Sequence, residues 1–322
     1  MTIVIASVAF FVAVLCAGLM GYAVQHGATC TVAAVDEIVT ERSCRRLLSL
    51  LEAALWVGGG LVVAQSLRLL PAMPDGYATS LWTVIGGILL GLGAFINGAC
   101  VFGAIARLGS GEWAYVFMPA GFFVGCLSVT PLFGAPAPQP LPYGSPVLLA
   151  PAWVAALFVA FALWRIVRSW LRGNGDVSQR WHEALAARVW SPHAATTVIG
   201  ITFVVMLLLV GGWAYTDVLA ELARGMSASV AARTVLLVAL LLGAMLGGWT
   251  AGLLRHTRPS LSQVARCFVG GLLMGWGSLL LPGGNDGLIL VGMPLAWPYA
   301  WLAFATMCLT IAGAQLARRA WG

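Results

Sequence analysis

The sequence predicts an all-α integral membrane protein of about nine transmembrane helices, built as two inverted repeats with interrupted or re-entrant helices. Three observations carry this reading: the composition, a series of long apolar runs, and a glycine pattern that occurs twice. Hydrophobic residues fill 61% of 322 positions and charged residues only 9%, far below the roughly 25% charge of soluble domains. Too little polar surface remains to clothe a soluble core or to build a soluble active site, so an enzyme is not expected.

Apolar runs of about 18 residues or more mark candidate membrane spans. Nine are present, near 3–24, 47–70, 82–105, 112–133, 147–171, 194–216, 233–254, 267–290 and 294–316. The first has no basic residue before it and exceeds the apolar core of a secretory signal, so it is expected to be retained. Every basic residue is an arginine. With nine spans, 14 of them (42, 45, 46, 107, 165, 168, 172, 180, 188, 255, 258, 266, 318 and 319) fall on one side, and Arg68, Arg224 and Arg233 on the other. Arginine accumulates on the cytoplasmic side of membrane proteins, which predicts a cytoplasmic C-terminus and an outside N-terminus. The net charge of +6 thus follows from topology and calls for no nucleic-acid partner. Trp82, Trp113, Trp170 and Trp213 lie near span ends and read as interfacial anchors. The seven cysteines sit mostly in or beside apolar spans, with no short secreted domain to staple, so free thiols are expected.

The repeat is visible in the glycines. Gly86-Gly87-Ile88-Leu89-Leu90-Gly91-Leu92-Gly93 recurs as Gly270-Gly271-Leu272-Leu273-Met274-Gly275-Trp276-Gly277 with all four glycines in register, and the same offset pairs Gly103 with Gly287. Residues 1–133 then form the first copy and 194–322 the second, within a single membrane domain. Residues 134–193 hold a connector helix and a polar linker around Gly173-Asn174-Gly175-Asp176. Copies displaced by five spans must lie in opposite orientations, the inverted topology of many secondary transporters.

Each copy's third span is interrupted, at Asn97-Gly98-Ala99-Cys100-Val101-Phe102-Gly103 and at Pro282-Gly283-Gly284-Asn285-Asp286-Gly287. A helix from Leu81 to Asn97 extends about 25 Å at 1.5 Å per residue, short of the roughly 30 Å hydrocarbon core. Irregular backbone at that depth must be buried in protein or line a wet cavity, so paired breaks point to a substrate site. The competing reading is two ordinary surface turns with glycines for helix packing.

Asn97-Gly98-Ala99-Cys100-Val101-Phe102-Gly103, followed by Arg107-Leu108-Gly109-Ser110-Gly111, resembles the G-x-C-x-x-G and R-x-G-x-G pattern of the YeeE/YedE family of sulfur-compound transporters. His26-Gly27-Ala28-Thr29-Cys30-Thr31-Val32-Ala33-Ala34-Val35 is similar to that family's earlier cysteine-bearing hairpin. The resemblance implies a multi-pass permease of the bacterial inner membrane for thiosulfate or a related small sulfur anion, with Cys30 and Cys100 lining a central constriction. The sequence departs from the pattern in the second copy, where Gly284, followed by Asn285 and Asp286, occupies the position of Cys100. Gly284→Cys would restore a thiol there.

The candidate pathway residues are Cys30, Cys100, Asn97, Gly98, Gly103, Gly284, Asn285 and Asp286, with Arg107 as an anion attractor. A thiol in an apolar setting is a neutral, weak S–H donor, which lets an anion bind and leave; the alternative is an inert packing residue. Cys16, Cys44, Cys126, Cys267 and Cys308 lack a flanking glycine turn and read as structural. Asp286 fits either a bound proton or sodium ion or a helix cap with Asn285, and Arg107 either attracts an anion or marks the interface. His26, His182, His193 and His256 show no ligand spacing, and no HExxH, phosphate-loop or G-x-S-x-G pattern is present, so no metal or cofactor is expected. Two rival functions remain at this stage: a persulfide relay from Cys30 and Cys100 to a cytoplasmic sulfur-carrier protein, and a permease for a non-sulfur solute.

Overall fold

The computed structural model describes residues 7–27, 29–70, 73–134, 138–171, 190–225, 230–255 and 257–321. The linker around Gly173–Asp176, Arg172, Arg180, Arg188, His182 and His256 lie outside the described residues. Those described form helices with no strand, apart from isolated bridges at Tyr77–Pro140 and Glu112–Thr257. In chain order the helices are α1 (Val8–Gly27), α2 (Thr31–Glu41), α3 (Arg45–Ser66), α4 (Leu81–Asn97), α5 (Val101–Gly109), α6 (Phe117–Phe133), α7 (Ala152–Leu171), α8 (Pro192–Val210), α9 (Tyr215–Ala223), α10 (Val230–Thr250), α11 (Leu261–Leu280), α12 (Asn285–Gly287) and α13 (Pro298–Trp321). The short α12 runs on as a π-helical turn, Leu288–Gly292.

This is a multi-pass α-helical membrane protein. Among the described residues seven segments are long and apolar enough to cross a bilayer, or eight when the pair broken by 52° after Leu280 counts as one. The sequence predicts nine. The further run expected at 147–171 carries α7, a 20-residue helix whose apolar part among the fully described residues is Ala152–Arg165. There α7 leans on α3, with Phe158 and Trp56 edge to face at 5.6 Å and Arg165 paired to Glu52 at 2.7 Å.

Two further half-helices were not expected. The 194–216 run ends at Val210, and the chain turns through Gly211 before starting α9; in the same way α1 stops at Gly27 and α2 begins at Thr31. The 11 residues of α2 and nine each of α5 and α9 reach only about 14–17 Å, half a membrane. Trp213 consequently lies inside the protein, 2% exposed, and is not an interfacial anchor. Nothing is described of the Trp170 side chain.

Element starts in the two halves match at a displacement of 184, the separation of Val101 and Asn285: α1 with α8, α2 with α9 and α5 with α12. Packing is exchanged between the halves. α1 packs on α10 as α8 packs on α3; α4 packs on α13 as α11 packs on α6; α1 meets α8 and α4 meets α11 across the middle. Apolar tails gain nothing by leaving lipid, so such contacts need backbones close enough for dense packing. Glycine provides that approach: a Cβ at Gly243 would sit 1.9 Å from the Gly18 carbonyl oxygen, and one at Gly271 2.1 Å from that of Met118. The repeated glycines of α4 and α11 interlock with each other, Gly93 against the Gly270 carbonyl and Gly277 against that of Gly86. This contact sets the breaks that follow both helices side by side.

Candidate permeation site

The first break is formed by exhausting α4. Gly98 adopts φ +73°, a left-handed conformation that glycine takes without strain, and the last carbonyls of α4 then need partners. Phe95 O accepts from Gly98 N (3.1 Å), Ile96 O from Arg266 Nε (3.3 Å) and Asn97 O from the Tyr115 hydroxyl (3.0 Å). The Asn97 side chain donates to Ala99 O at 2.7 Å and closes the turn.

Past the turn, Cys100 is the N-cap of α5, as Cys30 is of α2. The two caps satisfy each other. Thr31 N donates to Cys100 Sγ at 3.2 Å, and Cys100 N donates to Cys30 Sγ at 3.5 Å. Cys100 is fully buried, whereas Cys30 is partly exposed and lines a cavity of about 420 Å³ bounded also by Gly98, Gly103 and Arg107. Gly103 makes room for the sulfur, since a Cβ there would lie 2.5 Å from Cys30 Sγ. Arg107 pairs with Glu112 at 3.2 Å, and its guanidinium carbon lies 5.4 Å from the centre of the Tyr115 ring.

The second break adjoins the first. Val101 N, at the start of α5, donates to Asn285 Oδ1 at 3.3 Å. Gly284 is the N-cap of α12, and Asp286 does not cap its own helix. Its carboxylate reaches the start of α9, accepting from Thr216 N at 3.0 Å and from the Thr216 hydroxyl. The position of Cys30 is taken by Ala214, the N-cap of α9. A side chain at Gly284 has no room, because its Cβ would stand 2.3 Å from Thr216 Oγ1. The Gly284→Cys restoration suggested by spacing alone is therefore sterically closed.

All nine sequence-chosen residues thus lie at or beside these two breaks. Thr216, Tyr115 and Arg266 were missed. Thr216 is distant in sequence and carries no motif, though the match of Gly27 with Gly211 would have exposed α9 and its first turn. Among the described residues the cysteines are free, and no cluster of His, Cys, Asp and Glu is arranged to hold a metal. Among the described residues, six of the eleven buried side-chain atoms without a protein partner lie at the breaks or just before them: Thr29 Oγ1, Thr31 Oγ1, Asn97 Oδ1, Asn285 Nδ2, Gln25 Oε1 and His26 Nε2. Such atoms are rare in packed interiors and accumulate where water or solute provides the partner.

If Asp286 serves to cap α9, Asp286→Ala strands two buried donors of Thr216. At about 1–3 kcal/mol for each, a clear fall in thermal midpoint in detergent is expected, with Thr216→Val giving a smaller one. An unchanged midpoint for Asp286→Ala would refute the capping role.

A family model described as sulphur transport matches residues 26–313, which takes in both breaks and all the half-helices. A search of curated proteins finds none that matches. The cysteine hairpins, the glycine-framed breaks and this match over most of the chain give one conclusion: the chain belongs to the sulphur transport family, the YeeE/YedE family, and is a sulfur-compound transporter of the membrane.

Proposed function

We propose that the protein is a permease for a small sulfur anion such as thiosulfate, which passes the junction of the two breaks along Cys30 and Cys100 in a bacterial inner membrane. One observation carries this reading: two cysteine sulfurs occupy the starts of α2 and α5 and meet the N–H groups there. Helix N-termini carry partial positive charge, which a weakly accepting sulfur leaves largely unanswered, so an anion at this depth finds compensation for its lost hydration. A thiol is a weak donor and weak acceptor, suited to a step in which the anion must also leave. The buried, unpartnered polar atoms of Thr29, Thr31, Asn97 and Asn285 would offer further contacts to an ion that passes the breaks.

The two copies are read as inverted, on the matched elements and exchanged packing described above. The arginine-rich side, with the C-terminus, is assigned to the cytoplasm; an alkaline phosphatase fusion after Gly322 that is active outside the cell would contradict this. A persulfide relay is the weaker reading, because a relay thiol must be accessible to its acceptor and Cys100 is wholly enclosed.

Uptake of labelled thiosulfate into vesicles of the purified protein tests the pathway. Cys100→Ser keeps a donor at the constriction and is expected to retain partial flux. Cys100→Ala removes the donor and is expected to lower flux by an order of magnitude or more, about 1.4 kcal/mol or more in the barrier, at equal protein abundance, whereas the stranded Thr31 N–H lowers only its thermal midpoint. A Cys100→Ala protein that transports thiosulfate, sulfite and sulfate like its parent refutes the thiol pathway.

A further inference from the structure

We propose that the cavity in front of Cys30 is an anion-binding station of its own, in which Arg266, Arg318 and Gln315 hold a sulfur-oxoacid dianion before or after it passes the thiols. The proposal rests on the sulfur-anion reading above and adds to it a site on residues that the sequence marks only as topology arginines, or does not mark at all.

Four arginines, Arg46, Arg107, Arg266 and Arg318, face this cavity against a single carboxylate, Asp36. They are not equivalent. Arg46 is paired with Glu37 at 3.2 Å and Arg107 with Glu112 at 3.2 Å, while Asp36 is itself 3.7 Å from Arg319, beyond the cavity. Arg266 and Arg318 have no carboxylate partner among the described residues. Both are instead held on the end of α4. Arg266 donates through Nε to Ile96 O, which leaves its terminal amino groups for another acceptor. The Arg318 guanidinium lies 5.4 Å from the centre of the Phe95 ring, a contact that fixes its plane without neutralising its charge.

Gln315 supplies the second observation. It is 3% exposed, lines the same cavity, and its Oε1 has no partner. The two ends of an amide are assigned from their hydrogen bonds, so a half-turn presents the amide N–H group instead. A bound oxyanion accepts that donor. Two uncompensated guanidinium groups match the charge of a dianion, and planar guanidinium forks match its oxygens. Cys30 lines the same cavity, so an ion bound there shares it with the first thiol.

The test uses the purified full-length protein and follows, by mass spectrometry, mixed-disulfide formation at Cys30 with release of methanesulfinate, with exposed Cys44 as the reference for general reactivity. Two methanethiosulfonate reagents of similar size are compared, one with a sulfonate and one with a trimethylammonium group. In the parent protein the anionic reagent is expected to modify Cys30 about tenfold faster than the cationic one, a gain within the range of charge steering. Arg266→Gln with Arg318→Gln should bring that ratio close to one, and the corresponding Lys pair should preserve it, which separates charge from folding. Thiosulfate should protect Cys30, with a higher concentration needed in the Gln pair and in Gln315→Leu. An unchanged reagent ratio in the Gln pair overturns the station. Thiosulfate protection at an unchanged concentration overturns it too, while leaving the transport reading intact. A ratio that collapses although thiosulfate never protects Cys30 overturns the assignment to a sulfur dianion and the transport reading with it.

Discussion

A helix that stops halfway through a membrane leaves backbone N–H groups where water cannot reach them, and the central architecture follows from satisfying those groups. An unpaired buried donor costs about 1–3 kcal/mol, and α2, α5 and α9 each present several. They are closed by facing one half-helix with side chains from another: Cys100 at the start of α2, Cys30 and Asn285 at the start of α5, and Asp286 at the start of α9. Each of these residues therefore has a structural role whatever passes between them. The glycine contacts of α4 with α11 are what make the arrangement possible, because a bulkier interface would separate the two breaks beyond hydrogen-bond reach.

The two halves solve the same problem with different chemistry. In the first, the helix start meets a thiol sulfur, which is a weak acceptor and leaves much of the local positive potential unanswered. In the second, the start of α9 meets the Asp286 carboxylate, a full acceptor with its own charge, and Gly284 leaves space for it. On this view the second half carries a tethered anion where the first can accept a mobile one. The asymmetry gives physical meaning to the cysteine that spacing finds missing: its place is used by the Thr216–Asp286 contact.

Composition alone was enough to make the membrane class legible, since 61% hydrophobic residues with 9% charge admit few other solutions. The breaks at Gly98 and Gly284 were legible because glycine between apolar runs has a specific backbone consequence. Residues that work through a partner were much less so. The contacts of Thr216 with Asp286, and of Arg266 with the end of α4, join positions 70 and 170 apart, and no local pattern encodes them. The half-helices α2 and α9 were hidden for another reason. Their acidic residues, Asp36, Glu37 and Glu41 in α2 and Asp217 and Glu221 in α9, put them past the apolar runs that end at 24 and 216, so a hydropathy reading passes over them as connections. Trp213 was misplaced because the 194–216 run reaches past the turn at Gly211, which folds this residue inward.

The central claim is that one mobile anion binds at the thiol-capped helix starts of the first half and none at the carboxylate-capped start of the second. Anomalous scattering from crystals grown with selenosulfate, in which selenium replaces the terminal sulfur of thiosulfate, locates the ion directly. The account expects a selenium peak beside Cys30 and Cys100, near the N–H groups of Thr31 and Val101. A peak at the start of α9 beside Thr216, or none at the cysteines at saturating ligand, would contradict it.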